Sequence, residues 1–250
     1  MNKAMNRIFL NFVMISSVTY MHASPIVDIE NVRKSGQVGN FWNMAFAFSG
    51  SRGNEVRDDL QISLSLANND AKTEKLFVFE RSERTKDEIT EDESTFLHAR
   101  VLRKINEKPF DFEIYIQSSE NPFQSYKSRS LLGAGIRLNE LNDILLSISL
   151  LQEDEESLEG VRKKTQRVNL YLFKDFSFDN DSFIAISSFI QPSIEDFNDD
   201  YKYSLSLSYS IPVSEKFLVN FKISESFDND PPDLAQKSDQ SFVTSFNYSF

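Results

Sequence analysis

Cysteine is absent from this 250-residue chain, which excludes disulfide frameworks, thiolate metal sites, cysteine nucleophiles and a lipid-modified N-terminal cysteine. Histidine is nearly absent as well, and His22 and His98 leave little for imidazole-based metal binding or triad chemistry. Positive charge is scarce: 27 Lys and Arg stand against 38 Asp and Glu, a formal net charge of -11. That balance excludes the broad basic face a nucleic-acid partner needs. No apolar run after residue 23 approaches the roughly 18 to 20 residues of a membrane-crossing helix. No cofactor and no metal centre is expected.

What is present begins with a leader. Lys3 and Arg7 form a short positive region with no acid before Asp28, and Ile8 to Met21 is a mostly apolar stretch of signal-peptide length. Cleavage is expected near Ala23, because a cut one residue later puts Pro25 just after the scissile bond. The expected division is a signal peptide over 1–23, a periplasmic N-terminal segment over 24–39 and a barrel over 40–250.

Period two, the strand period, dominates the rest. Trp42, Met44, Phe46 and Phe48 alternate with small or polar residues, as do Leu60, Ile62, Leu64 and Leu66. The same split recurs from Phe110 to Ile116, Ile144 to Leu150, Tyr203 to Tyr209 and Phe217 to Ile223. Twelve such segments are expected, the last running through Phe242, Thr244, Phe246, Tyr248 and Phe250. Connections at 106–109, 139–143 and 212–216 are short, whereas 50–59, 81–94, 117–126, 152–164, 191–200 and 224–240 read as longer, acid-rich loops on the opposite side. Prolines stay out of strand interiors, with Pro109 opening a strand and Pro192 and Pro212 following strands.

A soluble sandwich or lipocalin-like barrel also alternates, with its apolar face turned inward, so period two does not choose between them. Export, segments near the 9 to 11 residues of membrane strands, alternating loop lengths and an aromatic C-terminus favour the membrane. The expected fold is therefore all-β: an antiparallel up-and-down transmembrane β-barrel of about twelve strands, in the outer membrane, with both termini periplasmic. Phe41, Trp42, Phe110, Phe112 and Phe217 fall at expected periplasmic strand ends and Phe48, Tyr201, Tyr203 and Phe227 toward the other rim, as interfacial girdles would. Phe246, Tyr248 and Phe250, at two-residue steps to the last residue, look like the pattern read by the barrel-insertion machinery.

The first hairpin, with an aromatic strand running into Phe48-Ser49-Gly50-Ser51-Arg52-Gly53-Asn54-Glu55, resembles the opening of the YdiY-like salt-induced outer-membrane protein family. A second block, Glu120-Asn121-Pro122-Phe123-Gln124-Ser125-Tyr126-Lys127-Ser128-Arg129 leading into Leu131-Leu132-Gly133-Ala134-Gly135, resembles that family's loop with an aromatic-Gln pair and a Gly-x-Gly strand. The resemblance covers about residues 40–250; the chain departs from it in having only seven glycines and heavy Phe, Ser and Asn usage. It implies a barrel of uncharacterised function with a link to salt or osmotic stress.

The inward face is where function is expected, and His98, Arg100, Glu113, Arg137, Arg167, Lys202 and Lys222 are its candidate lumen-lining residues. A lumen of this size is either crossed by ion pairs and shut, or left as a narrow polar path. An outer-membrane lipid hydrolase would need a Ser/His pair facing acyl chains, and His98 has the opposite parity. Gly133-x-Gly135 is read as close packing rather than a phosphate cradle, since no helix follows. Asp228-Asn229-Asp230 lacks the glycine and closing glutamate of a calcium loop. Expected partners are outer-membrane lipids and lipopolysaccharide, the barrel-insertion machinery and weakly held divalent cations at the acidic loops, with no nucleic acid. The leading function is a non-enzymatic structural or narrow-pore barrel; the alternatives are a lipid hydrolase and a soluble periplasmic binding barrel.

Overall fold

A computed structural model describes residues 38–52, 56–105, 108–122, 126–141, 144–214, 217–231 and 236–248, with the backbone alone at 139–141 and 245–248. The expected leader and most of the segment before the first strand lie outside these residues. Twelve strands follow in chain order: β1 Gly39–Ser51, β2 Arg57–Asn69, β3 Thr73–Lys86, β4 Ile89–Arg103, β5 Phe110–Asn121 and β6 Tyr126–Leu141. They continue as β7 Ile144–Glu156, β8 Arg162–Ser177, β9 Phe183–Pro192, β10 Tyr201–Ser214, β11 Phe217–Asp228 and β12 Ser238–Tyr248. They form one antiparallel sheet in the order β1 to β12, each strand paired with its chain neighbours, and the described residues contain no helix.

The sheet curls into an up-and-down barrel. Its curvature brings Lys163 on β8 to Asp230 beyond β11, and Lys202 on β10 to Glu155 on β7. β1 and β12 are the two edges, and among the described residues no ladder joins them.

Polarity is inverted relative to a water-soluble fold. Trp42, Met44, Phe46, Leu150, Leu205 and Phe221 all point outward and stand exposed, Phe46 by 67%. The opposite parity of the same strands carries Ser147, Ser149, Asn169, Arg167, Lys202 and Ser206, all buried. Burying charge while exposing aromatic and aliphatic side chains is sustainable only where the outer solvent is hydrocarbon, and this is the arrangement of a transmembrane barrel. The interior is not uniformly polar. Phe41, expected in the rim girdle, turns inward and packs on Ala67, Leu76, Val78 and Phe96, because its register partner Ala67 leaves room inside the wall.

The expected long loops are shorter than their composition suggests. Residues 81–94 are the ends of β3 and β4 joined by Asp87-Glu88, both at positive φ (49° and 66°), the signature of a two-residue type I′ turn. Residues 152–164 are likewise the ends of β7 and β8, turned at Gly160 (φ 82°). Charged residues therefore extend the ladders beyond the apolar belt instead of leaving them, and the loops at 193–200 and 229–237 are the longest on that side. At the opposite end the turn at 70–72 is set by Asp70, whose Oδ1 accepts from the amides of Lys72 and Thr73 at 2.7 and 2.8 Å. Pro212, expected after a strand, lies inside β10 at a register shift opposite Leu218, where a ladder amide is dispensable.

The inverted polarity predicts how substitutions on one face depend on depth. Leu150→Arg, in the outer belt, is expected to weaken folding into lipid vesicles by about 2–4 kcal/mol, and Asp154→Arg, four residues on and past the belt, by about 0–1 kcal/mol. Denaturant titration of the vesicle-folded protein checks this, and equal costs at both positions would contradict the outward belt.

Candidate functional site

Alternation along β6 to β8 continues past the apolar belt into charge. The inward parity reads Arg129, Leu131, Gly133, Gly135, Arg137 on β6, then Ser147, Ser149, Leu151, Glu153, Glu155 on β7, and Lys163, Thr165, Arg167, Asn169, Tyr171 on β8. Register aligns these rows, so opposite charges meet inside the barrel.

Glu153 is the centre. Arg129 Nε and Arg167 Nε each donate to one of its carboxylate oxygens at 2.5 Å, and Lys202 Nζ lies 3.3 Å from it. Lys202 also reaches Glu155 at 2.8 Å and Asp228 at 3.1 Å. Arg167 Nη1 holds Asp200 Oδ1 at 2.7 Å and donates to the Gln191 carbonyl at 3.2 Å, while Lys163 bridges Asp200 and Asp230. Arg129, Arg167, Lys202 and Glu153 are only 1–2% accessible. A side chain lining a water-filled channel would be wet, so at this level the inner face of β6 to β10 is packed against its own charge partners. In the loop 193–200, burial opposes ionisation of Asp200, yet hydrogen bonds from Lys163 and Arg167 hold its carboxyl below the usual carboxylate range.

A second set lies deeper in the belt. Arg137 pairs with Glu113 at 3.3 Å, Ser147 Oγ donates to Glu113, and the Arg137 guanidinium sits 5.8 Å over the Tyr171 ring. Tyr115 hydroxyl and Ser149 Oγ are 3.0 Å apart, Asn169 donates to Ser149 at 3.1 Å, and Gln191 donates to Asn169 at 2.9 Å. Gln191 Oε1 in turn accepts from Arg129 at 3.4 Å, so one hydrogen-bonded chain joins the two sets. Tyr115 reaches Ser149 by crossing β6 over Gly133, where a Cβ would meet its ring at 2.2 Å. At Gly135 a Cβ would meet the Ile148 carbonyl at 2.2 Å. The two glycines are thus clearances for close packing inside the wall.

The candidate residues divide into groups. Arg167 and Lys202 belong to the Glu153 network, and Glu113 and Arg137 to the deeper pair. His98 faces inward, stacked between Phe96 and Tyr115 at 6.3 and 6.0 Å, and Arg100 is buried two residues further along β4. Lys222 stands apart on β11, half-buried, on the side of the lumen that faces Glu80 of β3. Phe246 and Tyr248 lie on β12 opposite Val219 and Phe217, and Phe250 lies outside the described residues. Among the described residues no cluster of three His, Asp or Glu side chains is set to hold a metal ion. The network's centre, Glu153, and its partners Arg129, Glu155, Asp200 and Asp228 are not among the lumen-lining residues expected from sequence. For Arg129, Glu153 and Glu155 the signal that finds them is parity carried beyond the apolar belt; Asp200 sits in the loop 193–200, where no parity applies.

A family model described as a protein of unknown function, DUF481, matches residues 44–150, and that family includes the YdiY-like proteins. Curated proteins offer no match. Among solved structures, the chain is similar to the NanC porin at 9% identity over 82% of this chain and 100% of that one, with a TM-score of 0.46. It is similar to the KdgM porin in complex with disordered oligogalacturonate at 12% identity over 85% and 99%, with a TM-score of 0.41. The anion-selective porin from Comamonas acidovorans aligns at 8% identity over 85% and 100%, with a TM-score of 0.39.

Two outcomes follow from the geometry. Gly133→Ala is expected to destabilise the barrel by about 1–3 kcal/mol through overpacking. Because the clash is with the Tyr115 ring, Tyr115→Ala in the same chain should recover part of the loss, giving a coupling of about 0.5–3 kcal/mol in a double-mutant cycle. Additive losses would contradict the crossing. For Asp200, whose folded carboxyl titrates below the ordinary 3.8, the stabilisation is complete above that value and is lost as pH falls through the folded value. Stability measured against pH on the acid side should therefore fall less steeply in Asp200→Asn than in the wild type.

Proposed function

We propose that this chain is a non-enzymatic outer-membrane barrel, exported to the Gram-negative envelope, whose lumen is held shut on the loop side by the Glu153 network. The resting protein is a closed structural barrel, and loosening that network turns it into a narrow pore. The observation that supports this reading best is the dryness of the network: four charged side chains spanning β6 to β10 have almost no contact with water. Three cations share one carboxylate, so closure depends on charge balance across strands that are otherwise joined only through the wall.

The geometry around His98 favours this over lipid hydrolysis. Its ring is sandwiched between Phe96 and Tyr115 inside the barrel, on the side of the wall away from acyl chains. The apolar outer belt argues against a soluble periplasmic barrel, whose greasy face would turn in. The link to salt stress rests on the family resemblance. In physical terms salt screens exposed pairs such as Arg52–Asp58 and Lys164–Asp154 at the loop end far more than the buried network. Ionic strength would thus reach the outer rim before it reaches the lumen.

Planar-bilayer recording of the purified mature protein tests closure. The wild type should be silent. Glu153→Ala leaves Arg129, Arg167 and Lys202 short of a counter-charge, which costs about 3–5 kcal/mol when a buried pair is broken. It should give steady conductance steps with anion preference. Wild-type steps as large as those of the variant would sink the closed-barrel reading.

A further inference from the structure

The outer wall is not smooth. Across β1 to β5, near the end that carries the 70–72 turn, a groove of about 650 Å³ runs along the sheet. Its walls are two outward rows in ladder register. The upper row includes Trp42, Leu66 and Phe77 and ends at Ile116; the lower passes through Asn40, Asn68 and Lys75 to Ile114. Between them the wall contributes only the backbone row whose side chains, such as Leu76 and Arg100, point inward. None of the inward side chains two residues above or below that row lines the groove, so it opens outward. Ala99 sets its depth, because a one-carbon side chain sits where Phe77 and Ile116 flank it on the neighbouring strands.

The groove crosses five strands about 4.8 Å apart, which makes it roughly 19 Å long, and its volume falls in the range of small-ligand sites. It is apolar along its length and polar at one margin. Asn68 Nδ2 donates to Asn40 Oδ1 there, and Lys75 stands exposed beside them. The same margin gathers the exposed cations Lys72, Arg103 and Lys108. Of its acids, Glu74 faces inward to Lys104 at 2.9 Å and Asp111 caps the Ile105 amide at 3.1 Å, while Asp70 accepts the turn amides and is the one exposed carboxylate within electrostatic reach of Lys75 and Arg103, so the cations outnumber it. In a chain of net charge -11 this concentration of positive charge at a single margin is a local reversal of sign.

We infer that this groove is a binding site for one anionic phospholipid of the periplasmic leaflet, with an acyl chain lying between the two rows and the headgroup phosphate held at the Lys75 and Arg103 margin. The inference rests on the reading of the outer belt as membrane-embedded. Charge complementarity selects the occupant: an apolar trough flanked along its lower margin by cations at interfacial depth matches an acyl chain joined to a phosphate. Lys75 supplies the charge and Ala99 the space.

Native mass spectrometry of the detergent-purified barrel, incubated with equal phosphatidylglycerol and phosphatidylcholine of the same chain length, tests it. The wild type should retain phosphatidylglycerol preferentially. Lys75→Gln should reduce that preference about fivefold, the factor one lysine contributes near an anionic headgroup. Ala99→Phe, which fills the trough, should abolish retention of both lipids. Equal retention of the two lipids by the wild type, or unchanged retention in a variant that still inserts into vesicles, overturns the site and leaves the membrane reading intact. Failure of the wild type to insert into phosphatidylglycerol-containing vesicles overturns both. If Ala99→Phe does not insert, Lys75→Gln decides alone, since its side chain is exposed.

Discussion

A single carboxylate, Glu153, held by two guanidiniums and an ammonium in the interior of a barrel, is the interaction around which the rest of the lumen is organised. Each of those cations alone would be costly to keep from water, and the carboxylate alone would be too. Together they are tolerable only while every member is in place. The same logic extends outward through Glu155, Asp228 and Asp200, and inward through Gln191, Asn169 and Ser149 to Tyr115. Along β6 to β10 the interior is thus a connected polar set rather than a lining of independent charges.

The barrel differs between its two ends. At the loop end, strands run past the belt and carry paired acids and bases, with Arg81 between Glu83 and Glu93 and Arg84 on Asp59. At the other end the turns are short, with the exposed cations Lys72, Lys75, Arg103 and Lys108 gathered on the β2 to β5 side and the exposed acids Asp175, Asp179 and Asp181 around the β8 to β9 turn. Inside, β1 to β4 contribute an apolar knot around Phe96 and Val78, while β6 to β10 contribute the charge network. A barrel that is greasy inside on one flank and ionic on the other has one side of its lumen fixed by shape and the other by charge.

Much of this was legible in the order of residues. A period of two, with Phe, Leu and Ile on one parity and Ser or charge on the other, marks most of the twelve strands because a strand sends successive side chains to opposite faces; it is less regular in β3, β4 and β6, as where Leu76 and Val78 face inward between outward Phe77 and Phe79. Boundaries were less legible. Glu153 and Glu155, or Arg81 to Lys86, have the composition of a solvated loop, yet they keep the ladder because cross-strand charge pairing supports it. Phe41 shows the complementary limit: its position at a strand end matched a girdle, but its parity put it inside. Parity outranked composition at each of these residues. The Gly133 clearance followed the pattern of close packing, whereas the residue needing the space, Tyr115, became apparent only in three dimensions.

Among the described residues every ladder joins strands adjacent in the chain, β3 and β4 through the two-residue turn Asp87-Glu88. Such a wall can grow hairpin by hairpin, each added strand closing only a short stretch of chain at small entropic expense. What such a wall leaves over is the long-range task of bringing its margins, β1 and β12, together, and among the described residues no ladder joins them. In that respect the molecule resembles a zipper, with teeth that engage in sequence and a clasp at its two ends.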